Sequence, residues 1–250
     1  MSCCNEKYMR NILKAIYSKE SFYPGWLIGI WINPAFIVRR ALLKGVKDIS
    51  SKFLNGKLLD VGCGSKPYEH LFKVEEYIGI DVKVSGHNHK SSKIDKFYDG
   101  LLIPFDDNEF DWVFSSEVFE HVFDLDGLLK EINRVLRSGG KFAFTCPFVW
   151  EEHEQPYDYA RYTSFALNDM MTKNGFEVES LQKSTSYFET VMQMLAMYIY
   201  QCCLPKNPYI KILLTALFVA PFNIIGCLLG KILPSGENFY HNNIMIVVKK

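Results

Sequence analysis

The chain has 250 residues with 28 Lys+Arg and 28 Asp+Glu, a net charge of zero that argues against binding nucleic acid through a basic surface. Its 48% hydrophobic and 15% aromatic content is ample for a core and excludes a disordered chain. The neutral sum hides an asymmetry: residues 1–50 and 190–250 are net basic, and the stretch 51–189 between them is net acidic.

Met1 to Arg10 lacks the basic-then-apolar plan of a secretion signal, so export is not expected. Ser21 to Val38 is uncharged, carries Trp26 and Trp31, and is interrupted by Pro24, Gly25 and Pro34. It reads either as an aromatic interfacial anchor or as a lid on an acceptor pocket. Short apolar runs then alternate with helical periodicity, the habit of an α/β sheet. Strands are expected at Lys57–Val61, Tyr77–Asp81, Lys93–Tyr98, Asp111–Ser115, Lys141–Cys146, Phe176–Leu181 and Ile244–Val248. A helix is expected over Leu125–Arg137, with Leu125, Leu128, Leu129, Ile132, Val135 and Leu136 on one face and Ser138-Gly139-Gly140 as its stop. Another should start with Ser164 as its cap and end at Gly175, with Leu167, Met170 and Met171 facing inward.

Two more uncharged apolar stretches follow, Thr190–Pro205 and Ile212–Gly230. The second approaches the roughly 20 residues needed to cross a bilayer. Because Ile244–Val248 has to rejoin the sheet, a single crossing would leave it on the wrong side. The favoured reading is therefore a shallow hairpin in the cytoplasmic face of a membrane, helped by Pro221 and the Pro205-Lys206-Asn207-Pro208 break. The basic ends suit anionic headgroups. The alternative is a soluble helical cap or a dimer interface. The expected organisation is an N-terminal apolar segment at 1–50, a core at 51–189, an apolar helical insertion at 190–240 and the last core strand at 241–250. The cysteines (Cys3, Cys4, Cys63, Cys146, Cys202, Cys203 and Cys227) form no metal-type CxxC and no disulfide framework, which fits a reducing cytosol.

The strongest chemical signal is Leu58-Leu59-Asp60-Val61-Gly62-Cys63-Gly64-Ser65, a buried strand running into a Gly-x-Gly turn where backbone can approach a ligand. A nicotinamide fingerprint would place glycine at position 67, where Pro67 stands, so a dinucleotide Rossmann domain fits poorly. Asp81 closes the next strand at about 20 residues' distance, where a carboxylate can hold a ribose diol.

On these residues the sequence resembles the class I S-adenosylmethionine-dependent methyltransferases, in particular the methyltransferase type 11 group. LLDVGCGSKPY resembles the family's first motif and YIGIDV its second. DGLLIPFDDNEFDWVFSSEVFEHV resembles the stretch through the fourth strand, and RVLRSGGKFAFTCP the one into the fifth. The resemblance implies a three-layer Rossmann-like α/β sheet, mostly parallel with an antiparallel last strand, and S-adenosyl-L-methionine as cofactor. It places Gly62 and Gly64 against the methionine and ribose, with Asp60 organising the loop and Asp81 on the ribose hydroxyls. It also places Asp99 at the adenine amino group and Ser116 and Glu117 beside the methyl donor. Asp99 in its Asp-Gly pair also reads as a plain turn residue.

A methyl sulfonium is already electrophilic, so the protein's task is to align a nucleophile and exclude water. A hydroxyl acceptor also needs a base. The expected base is His153 in the segment Glu152–Thr163, with His121 second and Glu120 beside it. His121 reads equally as closing its loop by hydrogen bonding, and Tyr157, Asp158 and Arg161 as a salt-bridged lid. Glu117, Glu120 and His121 resemble a Glu-x-x-Glu-His cluster that holds a divalent ion in some methyltransferases, with His153 as a further ligand, but the favoured reading assigns no metal. PYDYARYT resembles a segment of type 11 members encoded with cell-surface polysaccharide genes. The expected reaction is thus methyl transfer to a hydroxyl of a lipid-linked or cell-surface saccharide, at the inner face of the membrane and without nucleic acid. A quinone or other lipid acceptor, or a non-catalytic cofactor-binding subunit, are the alternatives.

Overall fold

The computed structural model describes residues 15–17, 19–84 and 93–250. Cys3, Cys4 and the segment tested for a secretion signal lie outside the described residues. In chain order the elements are α1 (Gly29–Ile32), α2 (Phe36–Ser50), β1 (Lys57–Val61), β2 (Glu76–Val82), β3 (Lys96–Tyr98), β4 (Phe110–Ser116), α3 (Leu125–Val135), β5 (Leu136–Pro147), α4 (Ser164–Lys173), β6 (Phe176–Lys183), α5 (Tyr187–Tyr198), α6 (Pro208–Leu214), α7 (Ala220–Leu229) and β7 (Asn242–Lys249). They fall into two compact units, Met1–Lys44 with Ser184–Tyr240, and Gly45–Lys183 with His241–Lys250. The N-terminal apolar segment and the insertion therefore belong to one unit, although they were read from the sequence as two separate pieces.

The second unit is a seven-stranded sheet in the order β3-β2-β1-β4-β5-β7-β6. Strands β1 to β5 run parallel, and β7 lies antiparallel between β5 and β6. Alternation along each strand builds three layers. Val113, Phe142, Phe144, Met245 and Val247 pack against Leu128, Leu129 and Ile132 of α3 and Leu167 and Met171 of α4. On the other face Phe114 meets Tyr68 and Phe72, with ring centroids 6.4 and 5.0 Å apart, and Phe53 stacks on Trp112 at 4.6 Å. Gly45 of α2 lies against Ile244 of β7 on that same face, so close that any Cβ there would strike the isoleucine. The strand order reverses between β1 and β4, and ligands of open parallel sheets gather at the carboxyl ends of strands beside such a point.

Several expected boundaries shift. The helix over 125–137 stops at Val135, because Leu136 is already extended (φ −80°, ψ 135°) and opens β5 opposite Phe110. Its cap is Asp124, which accepts from Gly127 N. The helix expected to be capped by Ser164 is capped one residue earlier, where Thr163 Oγ1 accepts from Ala166 N at 3.2 Å. Strand β3 begins at Lys96 rather than Lys93.

The first unit is helical. Ile30, Phe36, Ile37 and Cys227 form its small core, with Met192 and Ile224 against them. Buried amides tie its pieces together: Gln193 donates to Pro34 O and accepts from Val38 N, and Asn223 donates to Ile30 O and Asn33 O. Gly226 brings α7 close to Ile37 and Met192. Ser186 and Glu189 form a capping box at the start of α5. Residues Pro208–Leu229 are continuous helix, with π-helical turns at Thr215–Val219, and by length and composition could cross a membrane. Much of this unit's apolar surface faces solvent, including Leu27, Trp31, Leu213, Leu217, Phe218, Leu228 and Ile232. Cys202 and Cys203 are exposed and Cys63, Cys146 and Cys227 buried, all as free thiols.

Candidate active site

At the end of β1 the chain turns through Gly62 (φ +75°) and Gly64 (φ +50°). Gly62 N and Cys63 N both donate to Ile80 O, at 2.9 and 3.1 Å, which pins the turn to β2. The two glycines are needed for different reasons. A Cβ on Gly62 would overlap the side chain of Val118, whereas among the described residues nothing lies within 4 Å of the Cβ position at Gly64, so that side of the turn has room for a ligand, while Gly64 O accepts from Lys93 N at 3.1 Å. Gly64 N donates to Asp81 Oδ2 at 3.0 Å, and Val82 N to Asp81 Oδ1 at 2.8 Å. Each carboxylate oxygen keeps a second lone pair, so Asp81 can still accept two hydroxyls. Asp60 is buried, and its Oδ2 accepts from Tyr77 Oη at 2.7 Å. Burial pushes its carboxyl up to about 7 against the opposing pull of Tyr77 and Lys66. Lys66, itself buried, pairs with Asp95, which also accepts from Gly79 N. These four predicted residues, Asp60, Gly62, Gly64 and Asp81, thus share one loop cluster.

Asp99 immediately follows β3, the strand beside β2, and is exposed. Its Oδ1 accepts from Leu101 N and Leu102 N at 2.8 and 2.9 Å, and these N–H groups hold its carboxyl below the usual range. The turn reading of Asp99 thus has a concrete geometry. Ser116 Oγ faces Thr145 Oγ1 at 2.9 Å. Glu117, in left-handed backbone (φ +56°), reaches across β5 to β7: Oε1 accepts from Thr145 Oγ1 and Oε2 from Asn242 Nδ2, both at 2.7 Å. It latches three strands together, so both of its oxygens already have donors from the protein.

The short 3-10 turn Phe119–His121 and the segment 150–161 bring Glu120, His121 and His153 together, with all ligating atoms within 4.8 Å. Glu120 is fully buried, and among the described residues neither carboxylate oxygen has a hydrogen-bond partner. Burial, with the charge of Glu117 behind it, pushes its carboxyl well up. His121 Nδ1 donates to Tyr157 O at 2.8 Å, and burial pushes this imidazole's pKa down. His153 Nδ1 lies 3.2 Å from both Glu151 O and Asp158 Oδ2. Asp158 also accepts from His153 N and is gripped by both terminal nitrogens of Arg161, at 2.6 and 2.7 Å, which hold its carboxyl far below the usual range. Arg161 further donates to Glu151 O and Ala160 O. Of the salt-bridged lid that the sequence offers as an alternative for Tyr157, Asp158 and Arg161, the structure has the Asp158–Arg161 ion pair, and this pair fixes the orientation of His153. Sequence reasoning missed Tyr77, Lys66, Asp95, Thr145 and Asn242, whose roles come from strand register and carry no local motif.

A mostly parallel sheet with an antiparallel last strand, a glycine turn after β1 and an acid ending β2 define the Rossmann-like class I methyltransferase fold. Residues 59–144 match the family model described as a methyltransferase domain. The chain is similar to sarcosine/dimethylglycine N-methyltransferase of Halorhodospira halochloris (42% identity; 26% of this chain, 23% of that one). It is also similar to phosphoethanolamine N-methyltransferase 2 of Caenorhabditis elegans (27%; 67% and 43%) and to demethylmenaquinone methyltransferase of Staphylococcus saprophyticus (30%; 53% and 63%). It therefore spans less than half the length of the first two relatives. Among solved structures, the cyclase SpnF aligns with TM-score 0.55 at 16% identity over 94% of this chain and 95% of that one. Haemonchus contortus phosphoethanolamine N-methyltransferase 2, solved with phosphomonomethylethanolamine and S-adenosylhomocysteine, aligns with TM-score 0.52 at 19% identity, covering 94% and 57%. At such identities these structures speak for the fold alone.

Proposed function

We propose that the chain transfers the methyl group of S-adenosylmethionine to a hydroxyl on a lipid-bearing acceptor, with its helical unit on a membrane surface. The observation that carries the reading is the open Cβ side of Gly64 beside the Asp81 carboxylate, within the stretch that matches the methyltransferase-domain model. When bound, the cofactor supplies an electrophilic methyl and a neutral thioether leaving group. Asp81 would accept the ribose hydroxyls, with Asp60 holding the loop and Asp99, Ser116 and Glu117 bordering the site. His153 has its Nδ1 hydrogen directed to Glu151 O and Asp158, which leaves Nε2 to take the acceptor's proton. His121, kept neutral by burial, is the second base, and Glu120 lies behind both.

The lipid part of the acceptor is supported by the exposed apolar helices, by the helix 208–229 and by relatives named for demethylmenaquinone and sterol methylation. The relatives' names speak of amines, sterols, a quinone and, in one case, arginine hydroxylation, and so lend the saccharide expected from PYDYARYT no support. A lipid such as a quinone or sterol, the alternative in the sequence reading, is accordingly the better-supported acceptor. Basic residues around the helices, such as Arg39, Arg40, Lys211 and Lys231, suit an anionic bilayer. The test is incubation of the purified chain with methyl-labelled S-adenosylmethionine and bilayers made from lipid extracts. Label should enter the organic phase, and His153→Gln should abolish it at unchanged cofactor affinity. Cofactor binding without transfer to any extract would favour a non-catalytic subunit, and recovery only in the soluble fraction on flotation would remove the membrane.

A further inference from the structure

Three electron-pair donors converge at the carboxyl ends of β4 and β5 with no hydrogen bond between them. His121 spends its Nδ1 hydrogen on Tyr157 O, and His153 has its own directed to Glu151 O and Asp158. Both rings therefore turn Nε2 lone pairs inward. Glu120 Oε1 lies 3.8 Å from His121 Nε2 and 4.0 Å from His153 Nε2, and Glu154 Oε2 is 3.8 Å from His121 Nε2. These separations are too long for a shared proton, since a hydrogen bond would close them to about 2.7–3.2 Å. They are close to what a cation imposes: ligands about 2.1 Å from one ion and a right or tetrahedral angle apart sit about 3.0–3.4 Å from each other. A fully buried carboxylate with no donor on either oxygen is otherwise a net cost to the fold.

From this we infer that Glu120, His121 and His153 form a site for a divalent first-row transition-metal ion. Two imidazoles and a carboxylate suit Zn2+, Fe2+, Co2+ or Mn2+ rather than Mg2+, which prefers oxygen ligands and water. Glu117 is left out of the ligand set, because the ligand atoms that converge within 4.8 Å are those of Glu120, His121 and His153, while Thr145 and Asn242 draw Glu117 toward β5 and β7. This departs from the sequence reading, which assigned no metal and grouped Glu117 with the cluster. Only the ion's purpose rests on the methyl-transfer reading. With both Nε2 lone pairs and Glu120 on the ion, it would keep positions open for an acceptor oxygen and lower that oxygen's pKa, which replaces His153 as the means of removing the acceptor's proton.

The full chain, stripped with a chelator and kept free of cofactor and acceptor, is titrated with Co2+ and followed by its visible ligand-field absorption. Saturable binding of one ion per chain is expected, displaced by Zn2+ and not by equimolar Mg2+. Glu120→Gln and His153→Gln should each abolish it, with circular dichroism confirming the fold. Asp158→Asn, which touches no metal but loosens His153, should weaken it about 10–100-fold. Absence of saturable binding, displacement by Mg2+, unchanged affinity in Glu120→Gln, or displacement of Co2+ by ethanolamine through an ammonium-binding site would each overturn the assignment. Cofactor affinity measured by calorimetry is a separate readout, so failure of the metal site and failure of the methyl-transfer reading are distinguishable.

Discussion

Gly62→Ala and Gly64→Ala make the same chemical change two residues apart, and the structure gives them opposite consequences. Both glycines have positive φ, where an L-residue costs about 1–2 kcal/mol. At Gly62 the new methyl overlaps Val118 Cγ2 and sits 3.0 Å from Cγ1 and 3.3 Å from Cβ, so a β-branched side chain and its backbone have to move. Overpacking of this kind adds about 1–3 kcal/mol, for a total of about 2–5 kcal/mol. Gly64→Ala meets no atom of the described residues within 4 Å; the stiffer unfolded chain, common to both variants, returns about 0.4–1 kcal/mol, leaving a net loss of about 1 kcal/mol here and about 1–4.5 kcal/mol at Gly62. In thermal unfolding the first variant should lose about 5–15 °C and the second about 2–4 °C. Calorimetry with S-adenosylmethionine should invert the severity for the fraction still folded: Gly64→Ala puts its methyl into the ligand's approach and should lose more than tenfold in affinity, about 1.4 kcal/mol. If Gly64→Ala binds the cofactor within twofold of the wild type, the ligand does not lie on this loop. If Gly62→Ala is no less stable than Gly64→Ala, Val118 does not confine the turn.

Asp81→Ala should weaken cofactor binding by about 1.5–3 kcal/mol through loss of charge-assisted hydrogen bonds, and calorimetry showing an unchanged affinity would refute the ribose placement. Arg161→Lys keeps the charge but not the two-pronged grip on Asp158, and should cost about 1.5–3 kcal/mol of stability with kcat falling more than KM rises; equal unfolding midpoints would contradict it. His241 is buried with Nδ1 2.8 Å from Val149 O, and burial lowers its pKa to about 4 from an ordinary 6.5. The unfolded chain then takes the proton first, so this stability is present above pH 6.5 and is lost as pH falls toward 4, by about 3 kcal/mol in all. Asp60, raised to about 7, has the opposite slope, with stability present below 3.8 and lost as pH rises through 7. The comparison is therefore urea denaturation of wild type against His241→Asn from pH 7 to pH 4, where the difference should shrink; a constant difference would show that His241 does not titrate.

What the sequence made legible was local. Strand β1 occupies the residues expected because a buried apolar run ends on a glycine turn, and both signals sit within eight residues. Thr163 and Ser164 are both good caps, and only the backbone decides that Thr163 reaches Ala166 N. The Glu117 latch joins residues 125 apart in sequence, and it exists because β7 inserts beside β5 with Pro147 opposite Asn242. No motif at either end announces it. The same holds for the tautomers of His121 and His153, which are set by carbonyls and a carboxylate that come near only once the segment 150–161 folds over the turn at Phe119–His121.

Of the acids near the carboxyl edge of the sheet, Asp81, Glu117 and Asp158 each have donors on both oxygens, and Glu120 has none. Leaving a buried polar group unsatisfied costs about 1–3 kcal/mol, a sizeable share of the 5–15 kcal/mol by which a domain is stable. Nothing in packing requires it, because an apolar chain of similar length would fill the same volume at less cost. Glu120→Met should therefore stabilise the ligand-free protein by about 1–3 kcal/mol while removing methyl transfer, the trade expected where a site is kept for chemistry. Thermal unfolding in the presence of a chelator measures the first effect and label transfer the second. A less stable Glu120→Met would mean that the carboxyl has a partner holding it in place, and the case for Glu120 as a working residue would then fall.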